Sequence, residues 1–542
     1  MVGLVRLLAL GIALFALLGA SEVRAQEAKN GGTMTVAYMN EMASLDPAIG
    51  YDPASWNLIK ALYDGLLGYE VGTTNVIPNL AESFTVSPDG LTFTFKLRPG
   101  VKFQNGRALT AEDVRYSIDR VVDPKTKSPG QEFFGSIVGF SDRTGGKSDR
   151  LEGVRAIDDH TVEFKLAHPD ASFLQILAIN FSFVVPREEV EKAAGDFGKH
   201  PVGTGAFKLQ EWLPGQQIVL ARNPDYFKKG LPHLDKVVVK VGVDPLTAML
   251  QFEKGDVDVL GNGIPPAKFT EAMNDPKYKN NVITDSRLIT RYITMKTTMK
   301  PFDDKRVRQA VNYAINKARI VQLINGRADV TNQILPPAMA GYDKDYKGYS
   351  YDPQKAKELL AQAGFATGFS TELYATNTDP DPRIAQSIQQ DLANVGIKVE
   401  LKTLAGPQIV AAGGSPDQAP MVWSGTLGWG ADYPDASDFY TPILSCASAT
   451  KGGWNWAYYC RKDVDAKADA ANAIADPANN AQRIAAWQEV YRIVMDDAPW
   501  VPVYNDKRFL LKQPRIQGSK AVFAAPTYPL IDYAQVFAAD AK

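Results

Sequence analysis

The chain runs to 542 residues, 45% hydrophobic and 22% charged, with 59 basic against 61 acidic side chains and a formal net charge of −2. That balance belongs to a globular protein of roughly three to four structural units and excludes collagen, coiled-coil, disordered and disulfide-dense miniprotein classes. A near-neutral total argues against nucleic acid as a partner, and His160, His168, His200 and His233 are too far apart for a His-based zinc site, so no metal is expected.

The first segment reads as an address. Arg6 supplies a positive flank, and 7–18 is an unbroken apolar run of 12 residues, short of the ~20 needed to span a bilayer comfortably. Val23-Arg24-Ala25 places small residues where a signal peptidase reads, so 1–25 is expected to be a cleaved signal peptide, with an uncleaved anchor as the alternative. The cleavage site carries no cysteine, so export to the periplasm without a lipid anchor is expected. Cys446 and Cys460 are the only cysteines and lie 14 positions apart, which in an exported chain predicts one disulfide. A two-thiol redox or metal site would call for C-x-x-C spacing or a nearby His, and neither is present.

In chain order, 33–38 reads as a first strand and 55–67 as a helix stopped by Gly68. Leu91, Phe93, Phe95 and Leu97 alternate with polar residues, as do Val162, Phe164 and Leu166, which predicts half-buried strands. Thr110 and Asp113 form a near-capping-box that opens a helix. From 303 to 324, Val307, Ala310, Val311, Ala314, Ile315 and Ala318 share one face of a long amphipathic helix. Asp352-Pro353 to Gly364 carries a start and a stop signal, and a striped helix ending at Gly396 leads into a strand at 397–401. This alternation is an α/β signature.

Catalytic motifs are missing: no G-x-S-x-G, H-E-x-x-H or G-x-G-x-x-G occurs, and 141–148 lacks the first glycine of a phosphate loop. The segment 421–440 stands out instead. Trp423, Trp429, Trp454 and Trp456 fall close together in sequence, with Asp432, Asp435 and Asp438 among glycines and a proline. Such a loop suits the lining of a cleft, with Trp429 as an apolar wall and Asp432 pairing a cationic group. A charge-assisted hydrogen bond there is roughly twice as strong as a neutral one. A core Trp and a helix-capping Asp would leave much the same pattern.

Several segments, in order and spacing, resemble one family. They include Asn79-Leu-Ala-Glu-Ser-Phe84, Ser87-Pro-Asp-Gly90, Phe95-Lys-Leu-Arg-Pro-Gly-Val-Lys-Phe103, Pro201-Val-Gly-Thr-Gly-Ala-Phe207, Arg222-Asn-Pro-Asp-Tyr-Phe227 and Pro301-Phe-Asp-Asp304. The chain is similar over nearly its whole mature length to the large periplasmic solute-binding proteins of ABC importers, the peptide/nickel-binding class that includes dipeptide- and oligopeptide-binding proteins. The resemblance implies an α/β, two-lobed periplasmic binding protein fold of the large cluster C type, with a hinge and an extra subdomain in the first lobe. It implies lobe I at 26–285, with the extra subdomain at about 75–165, lobe II at 286–504, and a return to lobe I at 505–542. It further implies a binding protein and not an enzyme, a monomer without cofactors, a peptide as ligand, and permease subunits of the inner membrane as partners.

By the same resemblance, Trp429 stands at the cleft and Asp432 binds the peptide α-ammonium, while Gly428, Gly430 and Ala431 offer backbone contacts to a ligand added as a strand. Thr426 stands where some oligopeptide binders carry an Arg, which leaves the carboxylate end of the ligand without its usual partner. Gln104-Asn-Gly106 departs from the family only in a turn. No His follows His233, which counts against nickel. A non-peptide solute (an opine, oligosaccharide or cationic amine) and an exported peptide or cell-wall hydrolase are the alternatives.

Overall fold

The computed structural model describes residues 28–527 and 530–541, so the expected signal peptide at 1–25 lies outside the described residues. Three principal sheets organise the chain. The first has the order Val259–Leu260, Thr33–Ala37, Lys236–Lys240, Gln217–Arg222, Phe207–Leu213. Thr33–Ala37 runs parallel to both its neighbours, with Met34 and Val36 buried on one face and Thr33 and Thr35 partly covered on the other. The second is an antiparallel sheet of Ala81–Val86, Thr92–Leu97, Thr161–Lys165 and Val154–Asp158. Phe93, Phe95 and Leu97 point inward as the alternation predicts, and Phe95 meets Phe164 edge-on with ring centroids 5.7 Å apart. Helix Ala111–Val122 covers this sheet, and the Asp113 carboxylate takes the Thr110 N–H at 2.9 Å, so Asp serves in place of the usual Glu. One continuous apolar core underlies both sheets.

The third sheet has the order Ala328–Val330, Trp500–Leu511, Val282–Met295, Met421–Trp423, Phe369–Thr376, Ile397–Leu404, and a short strand, Trp429–Gly430, also pairs with Val282–Met295. Helices Lys305–Ala314, Pro353–Gln362 and Asp381–Ala393 bury their apolar faces against it. A separate core forms under helices Lys462–Asn472 and Asn480–Asp497. The architecture is therefore two α/β lobes.

Two expected helices differ. The one read over 55–67 spans Pro53–Leu62, started by the Asp52 cap. It stops where Asp64, fully buried, accepts from Asn79 Nδ2 at 2.9 Å and Thr204 Oγ1 at 3.2 Å, and Leu67–Tyr69 is a strand. The helix read over 303–324 is two, Lys305–Ala314 and Lys317–Leu323. Asn316 breaks it: its side chain caps the second helix at Arg319 N, and its own N–H goes to Asp391 at 2.9 Å. Val307, Val311 and Ile320 still reach one core, which is why the periodicity ran through the break.

The long strands Val282–Met295 and Trp500–Leu511 run antiparallel from one lobe to the other. At one end Ile283 and Leu510 belong to the first core; at the other Ile293, Met295, Val501 and Val503 belong to the core of the third sheet. Between these ends the register slips, Ser286 facing Lys507 but Thr290 facing Asn505. Residues 287–289 stand opposite Asp506 alone, a surplus of two, and bulge out between the lobes.

Candidate functional site

The loop after Met421–Trp423 is built on Asp381, which accepts from Trp423 Nε1 at 3.1 Å and from the Thr426 N–H at 2.9 Å. Gly425 between them has φ +49°, and a Cβ there would lie 2.2 Å from the Asp381 carboxylate, so the turn requires glycine. At Gly428 a Cβ would fall 2.6 Å from Arg291 Cδ and 2.9 Å from the Thr290 carbonyl. That gap lets Arg291 pass beneath the loop to donate to the Gly425 carbonyl at 2.6 Å while pairing with Asp506.

The three loop acids have different tasks. Asp435 caps the turn Ala436–Phe439 through the Ser437 N–H at 2.9 Å and pairs with Arg483 at 2.7 Å, so the helix-capping reading fits Asp435 and not Asp432. Asp438 is buried and accepts both Trp429 Nε1 at 3.2 Å and the Asp432 N–H at 3.1 Å. Asp432 faces across the cleft, where the Tyr51 hydroxyl lies 2.8 Å from each of its carboxylate oxygens. Tyr51 is aimed there by ring contacts with Phe181 and Trp56, at 5.3 and 5.9 Å. Burial pushes the Asp432 carboxyl up to about 7, opposed only by the Tyr51 hydrogen bond. Asp438 is driven well above the carboxylate range by burial and then by the charge of Asp432. Among the described residues neither of these two acids has a cation bonded to it.

A cavity of about 300 Å³ opens at this point, walled by Tyr51, Trp56, Gly428, Gly430, Ala431 and Asp432. Trp429 is not among its lining residues. Its indole is turned onto Asp438 and meets Trp454 with ring centroids 6.3 Å apart, while Trp454 in turn stacks on buried Trp456. The amides of Gly428 and Ala431 already donate, to the Gly425 carbonyl at 3.1 Å and the Leu288 carbonyl at 2.8 Å, which leaves carbonyls for any added strand. The expected disulfide is formed, Cys446 to Cys460, with Cα atoms 4.3 Å apart.

Tyr51, Arg287 and Arg291 also belong to the site and escape a reading of the sequence. Only the arginines leave a trace there: Arg287, Ile289 and Arg291 alternate on one strand and all line the cavity. The lobes also touch away from the cavity. Phe133 packs edge-on against Tyr433 at 6.0 Å, and Asn472 exchanges two bonds of 2.9 Å, its carbonyl with the Ala171 N–H and its side-chain amide with Asp170.

Comparison with known proteins places this geometry. The family model described as bacterial extracellular solute-binding proteins, family 5, middle region, matches residues 75–451. The glutathione-binding protein GsiB of Escherichia coli O1:K1 is 32% identical over 507 residues, 92% of this chain and 93% of that protein. Among solved structures, the periplasmic binding protein DppA from Helicobacter pylori, in complex with the peptide STSA, is 29% identical, with 94% of this chain and 99% of that one covered and a TM-score of 0.76. The binding protein AgaA of A. tumefaciens R10, in complex with agropinic acid, is 26% identical at the same coverage, with a TM-score of 0.73.

Proposed function

Since the chain belongs to the bacterial extracellular solute-binding proteins of family 5, binding receptors of ABC importers and not enzymes, we propose that it captures short peptides and delivers them to inner-membrane permease subunits. The observation that carries this reading is Asp432: an acid raised to about 7 by burial, at the wall of an interlobe cavity, with no cation bonded to it among the described residues. A peptide α-ammonium supplies what the loop lacks. It pairs with Asp432 in a water-poor site, beside the Tyr51 hydroxyl, and lets Asp432 and Asp438 both remain ionised.

Gly428, Gly430 and Ala431 give the ligand backbone its carbonyls, and Trp429 holds the loop from behind through Asp438. The hinge lies at the bulge 287–289, where the two connecting strands lose register. Lobe I takes 26–285 and 505–542 and lobe II takes 286–504, and closure brings Tyr51 against Asp432. The protein works as a monomer in the periplasm after loss of 1–25, without a lipid anchor.

Glutathione is a peptide to try, because it carries a free α-ammonium, with a single carboxylate at the opposite end, and because relatives about one-third identical are named for binding it. The agropinic acid bound to a similar structure favours a second reading, a non-peptide solute held by the same acid. Native mass spectrometry of protein purified from its host, followed by denaturing release, separates the two. Co-purifying peptides of a narrow length range are expected; a single non-peptide solute would overturn the peptide reading.

A further inference from the structure

The cavity at Asp432 adjoins a second one of about 360 Å³, and the two share Asp52, Pro53, Arg287, Ile289 and Arg291. The second chamber has the opposite character. Arg287, Arg291, Arg327, Lys507 and Arg508 line it, against two acids, Asp52 and Asp506. Asp52 caps its helix through Oδ1 at Ala54 and Ser55, its Oδ2 being the one acid oxygen here without a partner among the described residues, and Asp506 is engaged by Arg291. Lys507 pairs with Asp329, and Arg508 with Asp285 at 3.1 Å.

Donors remain unused on the cationic side. Arg508 is buried, with 6% of its side chain exposed. Its Nε and Nη2 serve Asp285 and the carbonyls of Phe523 and Leu530, while Nη1 has no partner among the described residues. Arg327 Nε is likewise buried without one, and the Arg327 guanidinium lies over Phe269 at 5.6 Å. Burying guanidinium donors without acceptors is costly unless something supplies the acceptors. A planar fork of this kind is matched by a carboxylate. Thr426, exposed and tied to Asp381, cannot provide such a partner.

We infer that this arginine-lined chamber is the anion-binding half of the binding site, so that the protein selects peptides with two or more carboxylates at the end opposite the α-ammonium. The inference rests on the peptide reading above and deepens it. The cleft is polarised: an acid awaits a cation at Asp432, and a cluster of guanidinium groups awaits carboxylates beyond Arg291. A neutral peptide would fill the first half and leave the second unpaired.

The test has two stages. Native mass spectrometry against a synthetic pool of peptides of about two to five residues identifies the length retained. Calorimetry at low salt then compares a peptide of that length ending in glutamate with its glutamine counterpart. The glutamate peptide is expected to bind at least tenfold more tightly. In Arg327→Gln the gap is expected to shrink below threefold while the glutamine peptide keeps its affinity. Arg508→Lys, which keeps the charge but loses the fork, is expected to narrow the gap as well. Equal affinities, tighter binding of the glutamine peptide, or a gap unchanged in both variants would overturn the inference and leave the peptide reading intact. Failure of every peptide in the pool, whatever its charge, would overturn the peptide reading itself and the inference with it.

Discussion

A carboxylate beside a second buried carboxylate is a poor place for two negative charges, and Asp432 and Asp438 resolve this by holding a proton near neutrality. The consequence for binding has a definite sign. Burial raises the Asp432 carboxyl, so below about pH 7 the free protein carries it protonated and a cationic ligand must expel that proton. Affinity for a peptide is therefore expected to fall as pH drops below 7, approaching about tenfold per unit, with proton release visible in calorimetry across buffers of different ionisation heat. Above ~8 the ligand's α-amino group loses its own charge, so binding peaks near neutrality. Asp432→Asn should abolish the acid limb; a flat profile in the unaltered protein would remove Asp432 from contact with the ammonium. Asp432→Ala is expected to weaken peptide binding at least tenfold, about 1.4 kcal/mol, by the same measurement.

Among the elements, the loop 424–440 depends on what passes beneath it. Gly428→Ala would drive a methyl group into Arg291 and the Thr290 carbonyl. The expected cost is about 1–3 kcal/mol in denaturant unfolding, with displacement of Arg291 from Asp506. The disulfide encloses 446–460, the segment that carries Trp454 and Trp456 against Trp429. Replacing both cysteines by serine should cost about 3 kcal/mol on the loop-entropy estimate, read as a shift in the denaturant midpoint. Equal midpoints with and without reductant would show that the tether adds no stability. The strand Val282–Met295 shows how an element becomes a site: its two ends are anchored in two cores, and the bulged residues between them carry Arg287 and Ile289 into the cleft.

Across the whole molecule, the lobes meet at Tyr51–Asp432, Phe133–Tyr433 and Asp170–Asn472. The last contact lies away from the cavity but continues into the binding loop, because Arg483 donates to both Asn472 at 3.2 Å and Asp435 at 2.7 Å. Ligand and latch therefore favour the same closed arrangement. Asn472→Ala should enlarge the radius of gyration of the free protein in small-angle scattering and weaken peptide binding about tenfold, consistent with loss of a hydrogen bond to a charged acceptor. An unchanged radius and affinity would show that closure does not depend on this contact.

Much of this protein was legible in its sequence, since amphipathic periods, caps and stops report how each segment buries its own apolar face. The strands at 92–97 and 161–165, the helices at 353–362 and 381–393 and the cysteine pair needed nothing else. Asp432 was picked out by the family resemblance, since its local pattern alone also fits a helix-capping acid. Tertiary structure alone decided what faces it. Tyr51 is 381 positions away, and the arginines of the second chamber come from three separate stretches, 287 with 291, 327, and 508. Trp429 turned onto Asp438, and one continuous helical period broke at Asn316, for the same reason. Periodicity records that a side chain is buried, whereas its partner is set by where a distant strand returns, and Trp500–Leu511 returns through the middle of the site.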